Sequence, residues 1–102
     1  MEVKFKLIDN VLYIMLIGEL DDCTANYTRN VLDEALSKYS FENVVLELSN
    51  LEFMDSTGIG VLIGRYKNLK SKNKNIYISN PSKTVEKIFN MSGIFEIMPK
   101  IS

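Results

Sequence analysis

Hydrophobic and polar residues alternate at the start of the chain and then give way to an apolar run. Residues 3–7 alternate apolar and charged side chains, which predicts a half-buried strand at the edge of a sheet. Asp9 and Asn10 follow and favour a tight hairpin turn. Residues 11–17 are almost wholly apolar, and their β-branched and aromatic content predicts a strand covered on both faces that ends at Gly18.

Apolar residues at helical spacing predict two helices in the middle of the chain. The first covers about residues 23–39, and the second covers about residues 57–71. Short polar side chains stand before both, where their oxygens can accept the free N–H groups of a first helical turn. The candidate caps are Asp21 or Asp22 for the first helix and Asp55 or Ser56 for the second.

Two more strands and a third helix complete the pattern. Residues 44–48 alternate as a strand, and residues 76–78 form a short apolar one. Asn80 and Pro81 then predict an N-cap followed by a proline at the first helical position. Gly93 predicts the C-terminal end of that helix.

The order of these elements predicts the fold class. Strands joined by helices lie parallel through right-handed crossovers, and the first hairpin adds an antiparallel edge strand. We therefore expect an α/β fold with a mixed, mostly parallel sheet of four to five strands and helices packed on it. The length of 102 residues suits one domain, residues 1–102.

Composition excludes several classes of function. The 12 basic and 13 acidic residues leave a net charge of -1, which gives no reason to expect binding to nucleic acid or a membrane through bulk charge. Histidine is absent, which removes the commonest general base and metal ligand. The single cysteine cannot form an intramolecular disulfide. Charged residues alternate with apolar ones at the start of the chain, a pattern that does not match a signal peptide. We expect a cytoplasmic protein that holds no metal or cofactor.

Three junctions between a strand end and a helix start are the candidate sites, because ligands of open α/β sheets bind where strand C-termini meet helix N-termini. They are residues 18–22, 53–58 and 80–82. If the strands are parallel, the junctions share one rim of the sheet. The side chains that this rim brings together are Asp21, Asp22, Asp55 and Ser56.

The position of Ser56 before the second helix is compatible with two roles. One is an ordinary N-cap whose hydroxyl accepts a backbone N–H. The other is a phosphorylation site, since a phosphate at a helix N-terminus meets free N–H groups and the positive end of the helix dipole. Asp55 has alternatives of its own, as a cap or turn residue, or as a phosphoacceptor or general base.

The second helix carries a glycine pattern and a charged face. Gly58, Gly60 and Gly64 superficially resemble a dinucleotide fingerprint, but they fall inside the predicted helix, where they indicate close packing on the sheet instead. Arg65 is expected on the exposed face with several lysines, as a solvated or partner-binding surface. Cys23 starts a helix without a histidine partner and is interpreted as incidental.

Residues 53–67, which read Phe-Met-Asp-Ser-Thr-Gly-Ile-Gly-Val-Leu-Ile-Gly-Arg-Tyr-Lys, resemble the anti-sigma factor antagonists of the STAS domain family. The similarity recurs at residues 18–21 and 91–95, and it covers nearly the whole chain in order. Residues 64–67 look most like the sporulation branch, the antagonists of the anti-sigma F factor. The resemblance implies the STAS fold and a regulatory protein without enzymatic activity.

The resemblance also implies roles for particular residues. Ser56 would be phosphorylated by an anti-sigma factor that is also a serine kinase and uses ATP and Mg²⁺, and a PP2C-type phosphatase would reset it. The unphosphorylated protein, a monomer when free, would bind the kinase and release the sigma factor. The implied partner-binding residues are Asp21, Asp22, Thr24, Asp55, Ser56, Thr57, Gly58 and Arg65. The alternatives are a nucleotide-binding domain and a regulatory STAS module related to anion transporters.

Overall fold

Five strands and three helices make up the fold in the computed structural model, which describes residues 1–102. The four strands predicted from the sequence appear in the predicted order, and the predicted mixed, mostly parallel sheet is confirmed. Along the chain the elements are β1 Glu2–Ile8, β2 Val11–Leu20, α1 Ala25–Lys38, β3 Asn43–Glu47, β4 Leu51–Met54, α2 Ser56–Ser71, β5 Asn75–Ser79, α3 Lys83–Ser92 and a short 3-10 turn at Ile94–Glu96.

The sheet is built around β2. The hairpin partner β1 runs antiparallel to it, whereas β3 lies parallel on it and β5 lies parallel on β3. Asp9 and Asn10 both adopt positive φ, at 48° and 68°, which is the turn geometry that matches the twist of a two-residue hairpin. The predicted hairpin is therefore confirmed.

One face of the sheet is covered by α1 and α2. Alternate residues of β2, from Leu12 to Leu16, are at most 1% exposed on this face. They join a single cluster of 21 buried hydrophobic residues, to which α1 contributes Leu32 and α2 contributes Leu62 and Leu69. Burying each such leucine contributes about 1.5–3 kcal/mol relative to exposing it.

The other face of β2 is open, so the expectation of cover on both faces is wrong. Tyr13 is 39% exposed, and Val11, Met15 and Ile17 are only partly buried. A run of apolar residues indicates two buried faces when helices lie on both sides of a sheet. Here the helices that follow β2 and β4 pack on the same face.

The sequence pattern also misplaced the end of β2 and missed β4. The strand continues past Gly18, whose φ is 115°, through a bulge to Leu20. The residues after the bulge pair with β4, Leu51–Met54, which the pattern had left outside any strand. This pairing brings the end of β2 beside the start of α2.

The start of α3 also differs from the prediction. Ser82 is the N-cap, and Asn80 has a left-handed φ of 49°, so Asn80 ends β5 in a turn instead of opening the helix. Gly93 takes φ 74° at the C-cap, which confirms the predicted stop. None of the helices has the length and hydropathy that a membrane crossing requires.

Candidate functional site

Asp55 and Ser56 occupy different positions at the start of α2. The Asp55 carboxylate accepts the Gly58 N–H through Oδ1 at 3.0 Å, so Asp55 is the N-cap. Ser56 is the first residue of the helix, and its side chain is exposed and makes no hydrogen bond within the chain. The interpretation of Ser56 as the cap is therefore wrong. Its hydroxyl stays free because the neighbouring carboxylate fills that role.

The loop between β2 and α1 is tied into a compact turn by two side chains. Asp21 Oδ1 accepts the N–H groups of Cys23 and Thr24 at 2.9 and 3.1 Å. The Thr24 hydroxyl accepts the Asp21 N–H at 3.0 Å and donates to the Glu19 carbonyl at 2.8 Å. Thr24 is the N-cap of α1 and makes no side-chain capping bond, so the expectation that Asp21 or Asp22 caps this helix is wrong. Asp21 instead holds the turn before the helix, and the Asp22 side chain stays exposed.

Asp55 joins this loop to the start of α2. Its second oxygen, Oδ2, accepts the Asp22 N–H at 3.1 Å, and its own N–H donates to the Leu20 carbonyl at 3.3 Å. The first two junctions therefore meet, as the parallel strands predicted. The bond between the Asp22 backbone and Asp55 was not foreseen, because no local pattern reports a contact 33 residues apart.

Gly58 explains how closely the two junctions approach. A Cβ added to Gly58 would lie 2.3 Å from the Leu20 carbonyl oxygen and 2.8 Å from Met54 Cγ. The helix can press against the end of β2 only without a side chain at this position. Gly60 and Gly64 face open space, so the packing interpretation holds for Gly58 and is wrong for the other two.

Arg65 does not lie on the exposed face of α2, contrary to the prediction. Its side chain is 14% exposed, and its Nε lies 3.0 Å from Asp33 Oδ1 on α1. It forms part of the contact between the two helices. The lysines at positions 67, 70 and 72 remain exposed. Thr57 is also exposed, beside Ser56.

The third predicted junction stands apart. The Ser82 hydroxyl donates to the Leu51 carbonyl at 2.7 Å, and the Asn80 amide donates to Glu47 at 3.2 Å. No hydrogen bond joins these residues to Asp21, Asp22 or Asp55. Only two of the three junctions form the candidate site.

The candidate site carries negative charge without a neutralising cation. The chain has two ion pairs, Arg65 with Asp33 and Lys100 with Glu86, and neither includes a carboxylate of the site. No group of three or more histidine, cysteine or carboxylate side chains is arranged to hold a metal ion. The site therefore combines a serine hydroxyl that makes no hydrogen bond with carboxylates that form no ion pair.

Comparison with known proteins identifies the fold family. A family model described as the STAS domain matches residues 2–102. The chain belongs to the STAS domain family. This STAS domain is 43% identical over 89 residues to an anti-sigma F factor antagonist of Paenibacillus polymyxa, which covers 87% of the chain and 76% of that relative.

Two solved structures resemble this STAS domain along nearly its whole length. The anti-sigma factor antagonist SpoIIAA in its unphosphorylated form is 27% identical, with a TM-score of 0.81 over 99% of this chain and 89% of the other. The Bacillus cell fate determinant SpoIIAA in its phosphorylated form is 26% identical, with a TM-score of 0.73 over 99% and 92%. The STAS fold predicted from the sequence is thus confirmed.

Proposed function

We propose that this STAS domain is an anti-sigma factor antagonist that is switched off by phosphorylation of Ser56. In its unphosphorylated form it binds an anti-sigma factor that is also a serine kinase, and the sigma factor is released. ATP and Mg²⁺ are used by the kinase, and a PP2C-type phosphatase removes the phosphate. The protein works in the cytoplasm and catalyses no reaction itself.

The observation that carries the proposal is the free hydroxyl of Ser56. It is exposed at the first position of α2, and Asp55 performs the capping that would otherwise engage it. A kinase can therefore reach the hydroxyl without first breaking a hydrogen bond. The first N–H groups of a helix have no intrahelical acceptor, so a phosphate there meets donors and the positive end of the helix dipole.

The negative charge of the phosphate is what would switch binding off. A phosphoserine adds about -1.5 to -2 charges at neutral pH. At Ser56 these charges would stand next to Asp55, whose carboxylate holds the Asp22 N–H at 3.1 Å. The phosphate therefore makes an already negative surface more negative and competes with the bond that positions the Asp21 loop. Both effects act on the surface that the kinase would dock against.

Capture of the partner tests the proposal. The unphosphorylated protein and a stoichiometrically phosphorylated sample are immobilised and exposed to cytoplasm of the source cells, and bound proteins are identified by mass spectrometry. We expect an anti-sigma factor with a kinase domain on the unphosphorylated protein alone. Equal capture by both samples would contradict the switch, and capture of no anti-sigma factor by either would contradict the proposed partner.

The single cysteine allows the docking surface to be located without mutation. Cys23 is exposed in the loop that Asp55 holds. Bound kinase should slow its alkylation by iodoacetamide, because the loop is then covered. An unchanged alkylation rate in the saturated complex would show that docking takes place elsewhere on the molecule.

A further inference from the structure

The open face of the sheet is apolar where solvent-facing strands are normally polar. Its residues on β2 are Val11, Tyr13, Met15 and Ile17, so the strand reads as buried on both sides although the chain covers only one. A groove of about 490 Å³ lies on this face, and all of its lining residues come from strands. No helix of the chain covers it.

Charged residues flank the apolar centre in a regular order. The strand registers place Lys4, Met15 and Glu47 in one row across β1, β2 and β3. The next row holds Lys6, Tyr13 and Val45. Lysine therefore lies on one side of β2 and glutamate on the other, and neither lysine forms an ion pair within the chain.

Glu47 is held in place as a carboxylate on this face. Burial raises its pKa, but hydrogen bonds from Ser49, Asn80 and Ser79 outweigh burial, so the pKa lies below its usual value. The Ser49 N–H donates at 3.0 Å, and the Ser79 hydroxyl and the Asn80 amide both donate at 3.2 Å. Its negative charge is fixed in position two strands away from Lys4.

We propose that the open face binds a second copy of this chain, in a dimer whose two-fold axis runs parallel to β2. Rotation about that axis exchanges the β1 side of the sheet with the β3 side. Lys4 of one copy then lies opposite Glu47 of the other, twice by symmetry. Tyr13 and Met15 pack on their own symmetry mates between the two ion pairs.

The pattern of charge selects this axis over the alternative. A two-fold axis across the strands would set β1 against β1 and bring the lysines of both copies together, which is repulsive. Stacked sheets lie about 10 Å apart with strand directions within about 30° of each other, a separation that lysine and glutamate side chains span from opposite sides. The charges are thus self-complementary in one arrangement only.

Dimerisation through this face leaves the candidate site accessible. Ser56 begins α2, whose Leu62 and Leu69 meet Ile14 and Val44 on the covered face of the sheet. The dimer interface and the docking surface lie on different sides of the molecule. A dimer differs from the monomer that the family resemblance implies, and its formation does not depend on the proposed function.

Sedimentation equilibrium from micromolar to millimolar protein tests the dimer. We expect the average mass to rise with concentration from 11.7 kDa to roughly twice that value. Lys4→Glu alone and Glu47→Lys alone each set like charges against each other twice, and each should weaken self-association at least about tenfold. An equimolar mixture of the two variants restores both attractive contacts and should recover a heterodimer of nearly wild-type affinity.

Two controls complete the experiment. Lys87→Glu makes the same change of charge on the exposed surface of α3 and should leave self-association unaltered. Met15→Asp puts a charge at the centre of the face and should weaken self-association, with its fold checked by circular dichroism, as for every variant. A mass of 11.7 kDa at all concentrations would overturn the proposal. So would a mixture of Lys4→Glu and Glu47→Lys that associates no better than either alone.

Discussion

Ser56 and Ser82 both stand where a strand gives way to a helix, yet the structure uses them differently. Ser82 is the N-cap of α3, and its hydroxyl donates to the Leu51 carbonyl at 2.7 Å and accepts the Val85 N–H at 3.4 Å. Ser56 stands one position later relative to its helix, and its hydroxyl has no partner. Ser82 is half-buried, whereas Ser56 is exposed.

The difference shows what separates a structural serine from one that can be modified. A phosphate on Ser82 would remove the proton that the hydroxyl donates to the Leu51 carbonyl on β4, and it would disturb the capping bond from the Val85 N–H of α3. A phosphate on Ser56 would break none, because Asp55 has taken over the cap. The residue before the serine therefore decides whether its hydroxyl is available.

The largest expected difference is in phosphorylation itself. Ser56→Ala should abolish phosphate incorporation by the cognate kinase, whereas Ser82→Ala should leave it intact, because the Ser56 hydroxyl is exposed and free while the Ser82 hydroxyl is hydrogen-bonded. Mass spectrometry with fragmentation locates the phosphate. Thr57→Ala is the matched control, since Thr57 is the exposed neighbour. Phosphate on Thr57 or Ser82 of the wild-type protein would refute the assignment.

The next largest effect is expected on the affinity for the anti-sigma factor. Ser56→Asp adds a negative charge beside Asp55 and should weaken binding to the anti-sigma factor by about ten- to a hundredfold, or about 1.4–2.8 kcal/mol, because like charges at an interface repel. Ser56→Ala should bind as tightly as wild type. Calorimetry with ADP present measures both. If the two variants bind equally well, one negative charge does not control docking.

The close approach at Gly58 should control the geometry around Ser56. Gly58→Ala places a Cβ against the Leu20 carbonyl oxygen and should cost about 1–3 kcal/mol of unfolding free energy. Gly60→Ala in the same helix is the control and should stabilise the protein by about 0.5–1 kcal/mol. Urea unfolding compares them, and equal effects would show that the start of α2 can relax.

Stability should distinguish the caps. Ser82→Ala loses a capping oxygen and should cost about 0.5–2 kcal/mol, whereas Ser56→Ala loses no hydrogen bond and should cost only a few tenths. Asp55→Ala, which removes the real cap of α2, should resemble Ser82→Ala. Thermal melting ranks the three variants. A Ser56→Ala protein as unstable as Asp55→Ala would mean that the serine shares the capping.

The smallest expected effect is that of Ser56 phosphorylation on the stability of the fold. Attraction of the phosphate to the start of α2, worth about 0.3–1 kcal/mol, opposes repulsion from Asp55 of similar size. Melting temperatures and circular dichroism of the two forms should therefore nearly coincide. A lost melting transition in the phosphorylated form would make unfolding, instead of surface charge, the switch.

Local patterns predicted the elements whose residues carry their own signal. The hairpin at Asp9 and Asn10 and the stop at Gly93 were predictable because each residue type suits the positive φ found there. Strand β4 was not, since only Leu51 and Met54 of its four residues are buried. It pairs with β2 only beyond the bulge at Gly18.

The candidate site likewise has features that the sequence predicted and features that it did not. Parallel strands predicted that Asp21 and Asp55 would lie on one rim, and the structure brings their loops together. Helical spacing put Arg65 on the polar face of α2, but α1 packs beside it and supplies Asp33 as a partner. Spacing along one helix cannot report what a second helix covers.

By itself, the sequence determined the order of every strand and helix except β4, the parallel pairing of the sheet and the position of the candidate site. Hydrophobic periodicity, turn residues and crossover handedness are local signals that can be read from the sequence. Asp55 and Ser56 are both good capping residues, so only the tertiary structure decided which one caps α2. It did so where Leu20 accepts the Asp55 N–H and Asp22 donates to the Asp55 carboxylate. These contacts turn the carboxylate into the cap and leave the Ser56 hydroxyl free.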